Sequence, residues 1–348
     1  MNAHHSAPHH PAPHGDCQDR QDCQSQTAHA HEHAHAHAPQ SVHHAAPRPV
    51  AAVQPEGEVI LVIGHGSRQE EGNRQVREFV ARWRERRPGW RVEVGFIEFG
   101  RPDLHDALLA AGRSARRVLA LPLILNAAGH VRGDIPAAVA HAREHCPDVE
   151  FLVAPHLSAC QPILDVLLRR LDEAMQSLDM PDPSTTGVIL LGRGSSDPLA
   201  NGDMARMARW LFEAAPEHEL VDLAFTGVTW PRLEKVVQRH ARLGMGQIVV
   251  LPHYLYTGVL IERIQQQVEH LRVQHPRMRF ACAPYFGFEP EIFALLEHYV
   301  SELRERGHCL PMDGSGPRPV TAGHHHDSHG HHHHHHDHHD HHHQEAQP

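Results

Sequence analysis

Apolar positions along this chain follow two alternating rhythms. Continuous runs of strand length, such as VILVIG at residues 59–64, give way to longer segments in which apolar residues recur at i, i+3, i+4 and i+7. The first rhythm belongs to strands buried on both faces of a parallel sheet, the second to amphipathic helices. In the first part of the chain the pattern predicts strands near 58–64, 91–98, 117–123 and 149–154, with helices near 70–87, 103–114, 131–145 and 160–176. Val76, Phe79, Val80 and Trp83 form the apolar stripe of the first helix and are assigned to the core. Strict strand–helix alternation makes the fold α/β.

The pattern then runs a second time. VILVIGHGSRQEEGN returns as GVILLGRGSSDPLAN, VEVGFIEFGRPDL as VDLAFTGVTWPRL, RVLALPLILNAAGH as QIVVLPHYLYTGV, and FLVAPHLSACQPILDVLL as FACAPYFGFEPEIFALL. Blocks matched in the same order imply duplication. MPDPSTTG reads as the linker, so the expected organisation is two similar parallel-sheet domains, 57–181 and 182–308, facing each other across a cleft.

What the second copy loses is more informative than what it keeps. His65 becomes Arg193, Glu98 becomes Gly227 and His130 becomes Val259. All three first-copy residues lie at or just past the C-terminal end of a predicted strand, where right-handed connections gather loops on one sheet edge and ligands bind. A His–Glu–His set can hold a divalent metal or move protons near neutral pH. Plainer readings are a helix cap for His65, an ion pair with Arg101 for Glu98 and a solvated site for His130. His105, His141, His145, His240, His270, His275 and His298 fall within amphipathic helices and are expected at the surface; His156 and His253, at strand ends, are secondary candidates. Ser67 follows the second glycine, which spoils a nucleophile elbow, and the dinucleotide and P-loop fingerprints are incomplete.

Composition restricts the picture further. The chain has 348 residues, 40 of them histidine, and a formal net charge of −10. Histidines crowd residues 1–56 and 309–348, which lack apolar periodicity; both segments are expected to be disordered, the latter as a metal-binding tail. Aspartates interleaved with histidines there suit Co, Ni and Zn. The negative charge argues against nucleic acid, scattered cysteines argue for a reducing compartment, and no apolar run is long enough for a membrane. A soluble cytoplasmic protein, monomeric with a pseudo-dimeric core, is expected.

GHGSR with its following Asn, FIEFGRPDL and LPLILNAAGHVRGDIP, on a doubled architecture, resemble the CbiX-type sirohydrochlorin chelatases, ATP-independent class II enzymes. The resemblance spans nearly all of 58–305 and points to the long form, a fused pair of chelatase units, although the cysteine motif of some long members is missing. It implies His65, His130 and Glu98 as catalytic and metal-holding residues. Arg68, Arg132 and Arg193 are the expected partners of substrate carboxylates. The implied activity is insertion of cobalt into sirohydrochlorin for cobalamin synthesis, with no cofactor beyond the substrate metal. Iron insertion for siroheme is the close alternative, nickel a possible metal, and a non-catalytic nickel or cobalt storage protein the alternative of another class.

Overall fold

The computed structural model describes residues 57–310 except 127, 128 and 158, and His130 through its backbone. Expectations for 1–56 and for all but the first two residues of 309–348 lie outside the described residues. The first half runs β1 (Glu58–Gly64), α1 (Glu70–Arg86), β2 (Val92–Phe96), α2 (Leu104–Ser114), β3 (Arg117–Leu123), α3 (Ile135–His145), β4 (Glu150–Val153) and α4 (Gln161–Gln176). The second repeats it as β5 (Thr186–Gly192), α5 (Pro198–Ala214), β6 (Leu220–Phe225), α6 (Leu233–Arg242), β7 (Gln247–Pro252), α7 (Val259–Gln274), β8 (Arg279–Cys282) and α8 (Pro290–Arg306).

Each half forms a four-stranded parallel sheet, ordered β2-β1-β3-β4 and β6-β5-β7-β8. The chain leaves β1 toward β2 and then returns across it to β3, so the sheet switches direction at β1. Gly64, Phe96 and Leu123 are level in register, which sets the loops after β1, β2 and β3 side by side. That crevice is where open α/β sheets bind ligands.

Helices α2 and α3 cover one face of the first sheet through Leu108, Ala111, Ile135 and Val139, and α6 and α7 do the same for the second. The other two faces meet in a single apolar core shared by both halves. Here the C-terminal helices cross over: α4 lies against β7 and β8, and α8 against β3. Phe79 of α1 stacks on Phe293 of α8 at 4.0 Å, while the Arg169 guanidinium on α4 binds Glu289 and Glu291 across the interface. Neither sheet buries its inner face alone. The proposed division at 181/182 is therefore one between repeat units rather than between independently closed cores.

Two sequence expectations need correction. Helix α3 begins at Ile135, not 131, because residues 130–134 form a wider π turn. Pro136 has no N–H to return to the carbonyl of Arg132, so the first turn cannot close as an α-helix. His240 is fully buried rather than at the surface, with Nε2 2.7 Å from Asp222 Oδ2. Space for it comes from Gly187, where a Cβ would meet the His240 ring at 2.0 Å. In the first half the matching positions are Val59 and Ala111, an exchange of volume between neighbours that keeps the core filled.

Candidate active site at the cleft between the halves

Hydrogen bonding between β1 and β2 continues past the ends of both strands. Ile97 N–H donates to Gly64 O and Glu98 N–H to His65 O, each at 3.0 Å, which makes His65 and Glu98 neighbours. So close an approach requires Gly66: its φ is +87°, and a Cβ there would lie 1.6 Å from Glu98 O. The glycine after the histidine is thus what lets the two turns touch. Ser67 N–H donates to Asn73 Oδ1 at 2.8 Å, and Asn73 Nδ2 returns to Ser67 O at 2.9 Å and to Phe99 O at 3.0 Å. Asn73 is buried and structural; it pins both turns to the start of α1.

The second half reproduces this frame without the chemistry. Thr226 N–H donates to Gly192 O, Gly227 N–H to Arg193 O, and Asn201 holds Ser195 as Asn73 holds Ser67. Phe99 and Val228 occupy matching left-handed positions, at φ 50° and 62°, with their side chains exposed. A non-glycine residue there costs about 1–3 kcal/mol and persists where the surroundings hold it.

Between the two frames lies a cleft of about 930 Å³, lined from both halves. His65, Glu98, Arg68 and Arg193 border it. In the tautomer in which His65 Nδ1 donates to Gly66 O at 3.1 Å, Nε2 carries the lone pair that a metal or a proton would take. Glu98 does not depend on Arg101, which pairs with Asp103 at 2.8 Å. Nor is His65 a helix cap, since Gln69 stands at that position of α1. His130 opens the π turn after β3, between the cleft-lining Gly129 and Val131; its side chain lies outside the described residues. Arg68 lies over the Phe99 ring at 4.8 Å. Arg132 is not among the lining residues: it is exposed and reaches Asp197 of the other half at 3.6 Å, tying the walls together beside the cleft.

On the second-half wall the sequence pointed to Arg193 and, as a secondary candidate, His253, and passed over Tyr254 and Tyr256. His253, the residue after β7, lines the cleft with both ring nitrogens buried and without hydrogen-bond partners, and burial pulls its pKa down to about 4. Tyr254 bonds Thr226 at 2.8 Å, with burial pushing its phenol up to about 12; Tyr256 is half-buried with its hydroxyl enclosed, which raises its pKa for the same reason. The signal was present in HYLYTG, a polar-aromatic stretch following a strand end. His156 is not a lining residue and sits 3.8 Å from Asp203. No helix among the described residues is long and apolar enough to cross a membrane.

Comparison with known proteins agrees with this doubled architecture. The CbiX family model matches twice, over residues 59–174 and 187–303. A sirohydrochlorin cobaltochelatase of Priestia megaterium is 37% identical over 248 residues, covering 70% of this chain and 79% of the relative. A sirohydrochlorin ferrochelatase of the same organism is 30% identical, covering 71% and 90%. Among solved structures, SirB from Bacillus subtilis with Fe3+ superposes with a TM-score of 0.62 at 23% identity, covering 75% of this chain and 98% of that one. With both repeats matched and their strand-end loops meeting at one cleft, the chain belongs to the CbiX family.

Proposed function

We propose that this chain inserts cobalt into sirohydrochlorin without ATP, using His65, Glu98 and His130 of the first half. The observation that carries this reading is the pairing of His65 with Glu98 at the switch point of a sheet, on a cleft shared by both halves. Its volume is at the upper end of the ~300–1,000 Å³ typical of ligand pockets, which suits a flat macrocycle. Exposed Phe99, Val228 and Val259 offer apolar surface for the ring face, and Arg68 and Arg193 offer charge for its carboxylates.

Insertion exchanges two pyrrole N–H protons for one divalent ion. Two imidazoles and one carboxylate supply, between them, ligands for the incoming ion and acceptors for both protons at neutral pH. Coordination by four ring nitrogens drives the exchange, so no nucleotide is needed. Arg132, paired with Asp197, acts at the cleft margin in positioning the walls. The histidine-rich segments at 1–56 and 309–348 serve as a reservoir that raises metal concentration near the cleft.

A second reading, iron insertion for siroheme, is supported by the 30% identity to a ferrochelatase across 90% of its length. Anaerobic absorbance assays of the full-length protein with sirohydrochlorin and Co2+, Fe2+ or Ni2+, without ATP, separate the readings. Fastest turnover with Co2+ is expected; preference for Fe2+ would favour the siroheme role. No acceleration with any ion would leave storage as the function.

A further inference from the structure

On the outer face of the first half, none of it lining the cleft, two histidines and a glutamate come together beside a third histidine. Ile135, Ala138, Val139 and Ala142 turn one side of α3 into the core, which leaves His141, Glu144 and His145 on the opposite side. Their donor atoms all lie within 4.8 Å of one another. His141 and His145 are one helical turn apart with ring centroids at 4.2 Å, and His105 of α2 brings a third imidazole to 5.5 Å from His141. When His145 Nδ1 donates to His141 O at 2.9 Å, Nε2 is left with the lone pair, the tautomer setting that ligating histidines need.

The duplicated half is an internal control. At the matching positions of α6 and α7 stand Glu234, His270, Val273 and Gln274, and those two helices lack the close packing of α2 on α3. Gln274 Nε2 lies 2.8 Å from His270 Nε2 and Glu234 accepts from Gln267, so the one histidine kept is engaged with an amide. A merely solvated helix pair has no need of three imidazoles converging in one copy. We propose that His105, His141, Glu144 and His145 form a binding site for one divalent cation of borderline softness, Zn2+, Co2+ or Ni2+. Three imidazoles with one carboxylate suit such ions rather than Mg2+ or Ca2+. Tetrahedral ligands at 2.0–2.1 Å stand about 3.3 Å apart, a separation that His141, Glu144 and His145, with donor atoms within 4.8 Å, approach by side-chain rotation; His105, its ring 5.5 Å from that of His141, is the nearest fourth donor. The site is separate from the cleft and does not depend on the reaction proposed there.

Histidine modification by diethyl pyrocarbonate, mapped by peptide mass spectrometry on the full-length protein, tests the site despite the many other histidines. With buffered micromolar free Zn2+, His105, His141 and His145 are expected to react at least fivefold more slowly, while exposed His270 keeps its rate. In folded His141→Ala, protection of both His105 and His145 is expected to vanish. Unchanged reactivity at the three histidines, equal protection at His270, or protection surviving in His141→Ala would each overturn the proposal. A Co2+ anomalous-difference peak among the four side chains in crystals of the full chain would support it, and a soaked crystal with no such peak would count against it.

Discussion

The two halves share a frame down to single hydrogen bonds and differ in the groups the frame presents. Gly66 and Gly194 take the same left-handed turn, Asn73 and Asn201 hold the same serine, and the continuation of strand pairing past the sheet edge is identical. At that edge one half places His65 and Glu98 where the other places Arg193 and Gly227. Duplication thus supplied two walls for one cleft, and under the proposed function only the wall with His65 and Glu98 performs the chemistry. The other wall carries charge, aromatic rings and a buried neutral imidazole, to which the proposal assigns ligand holding.

The largest expected effect tests the shared frame. Gly66→Ala drives a Cβ to 1.6 Å from Glu98 O, so the two turns must part; a loss of about 3 kcal/mol or more in denaturant unfolding is expected, together with activity. Gly194→Ala meets Gly227 O at 2.5 Å and is expected to cost less. Equal, small losses would show that the touching turns are not what holds the site.

Next comes the difference in chemistry. Glu98→Gln keeps the shape and removes the charge, and is expected to lower kcat by roughly 10²-fold or more with little change in thermal stability. The reciprocal change, Gly227→Glu, has room, with the nearest atom 3.7 Å from the new Cβ, and is expected to leave turnover near wild type. Restoration of the first-half Glu98→Gln defect by Gly227→Glu would show that either wall can act.

A smaller effect distinguishes binding from chemistry. Arg193 borders the cleft in the position His65 holds opposite it, and Arg193→Ala is expected to raise KM for the tetrapyrrole about tenfold while kcat changes less. A lower kcat at unchanged KM would place Arg193 in the chemical step instead.

The last effect concerns stability and appears only on acidification. Burial holds His253 at about 4, against 6.5 in water, so between those values the unfolded chain binds a proton that the folded chain does not. This contribution is complete above pH 6.5 and is lost as pH falls toward 4, by on the order of 3 kcal/mol. Leu123 fills the matching place in the first half, and His253→Leu is expected to flatten the decline of Tm between pH 7 and 4.5. An unchanged slope in the variant would assign acid sensitivity to other groups. Asp222, whose pKa is lowered first by its bond to His240, acts in the same direction but in the carboxylate range, below this window.

Much of this arrangement was legible in the chain because strand and helix periods are set locally. Seven-residue apolar runs became β1 and β3 at the expected bounds, and His65 and Glu98, singled out by their loss from the second copy, lie side by side at the cleft. The misplaced residues were those decided by distant neighbours. His240 completes the stripe of Leu233, Val236 and Val237, and its spacing marked it as buried; its polarity pointed the other way until Asp222 and Gly187 were seen around it. The crossing of α4 and α8 onto opposite sheets leaves no periodic trace, since a helix shows an apolar stripe whichever sheet receives it. The pairing of Arg132 with Asp197, far along the chain, likewise leaves no local trace in the sequence.

The most direct test of the central claim, that one half performs the chemistry, is anaerobic insertion of Co2+ into sirohydrochlorin by full-length protein carrying His65→Ala and His130→Ala, with folding verified by circular dichroism and Tm. The account predicts a folded protein whose insertion rate falls to the uncatalysed background. Wild-type turnover by that folded double variant would contradict it.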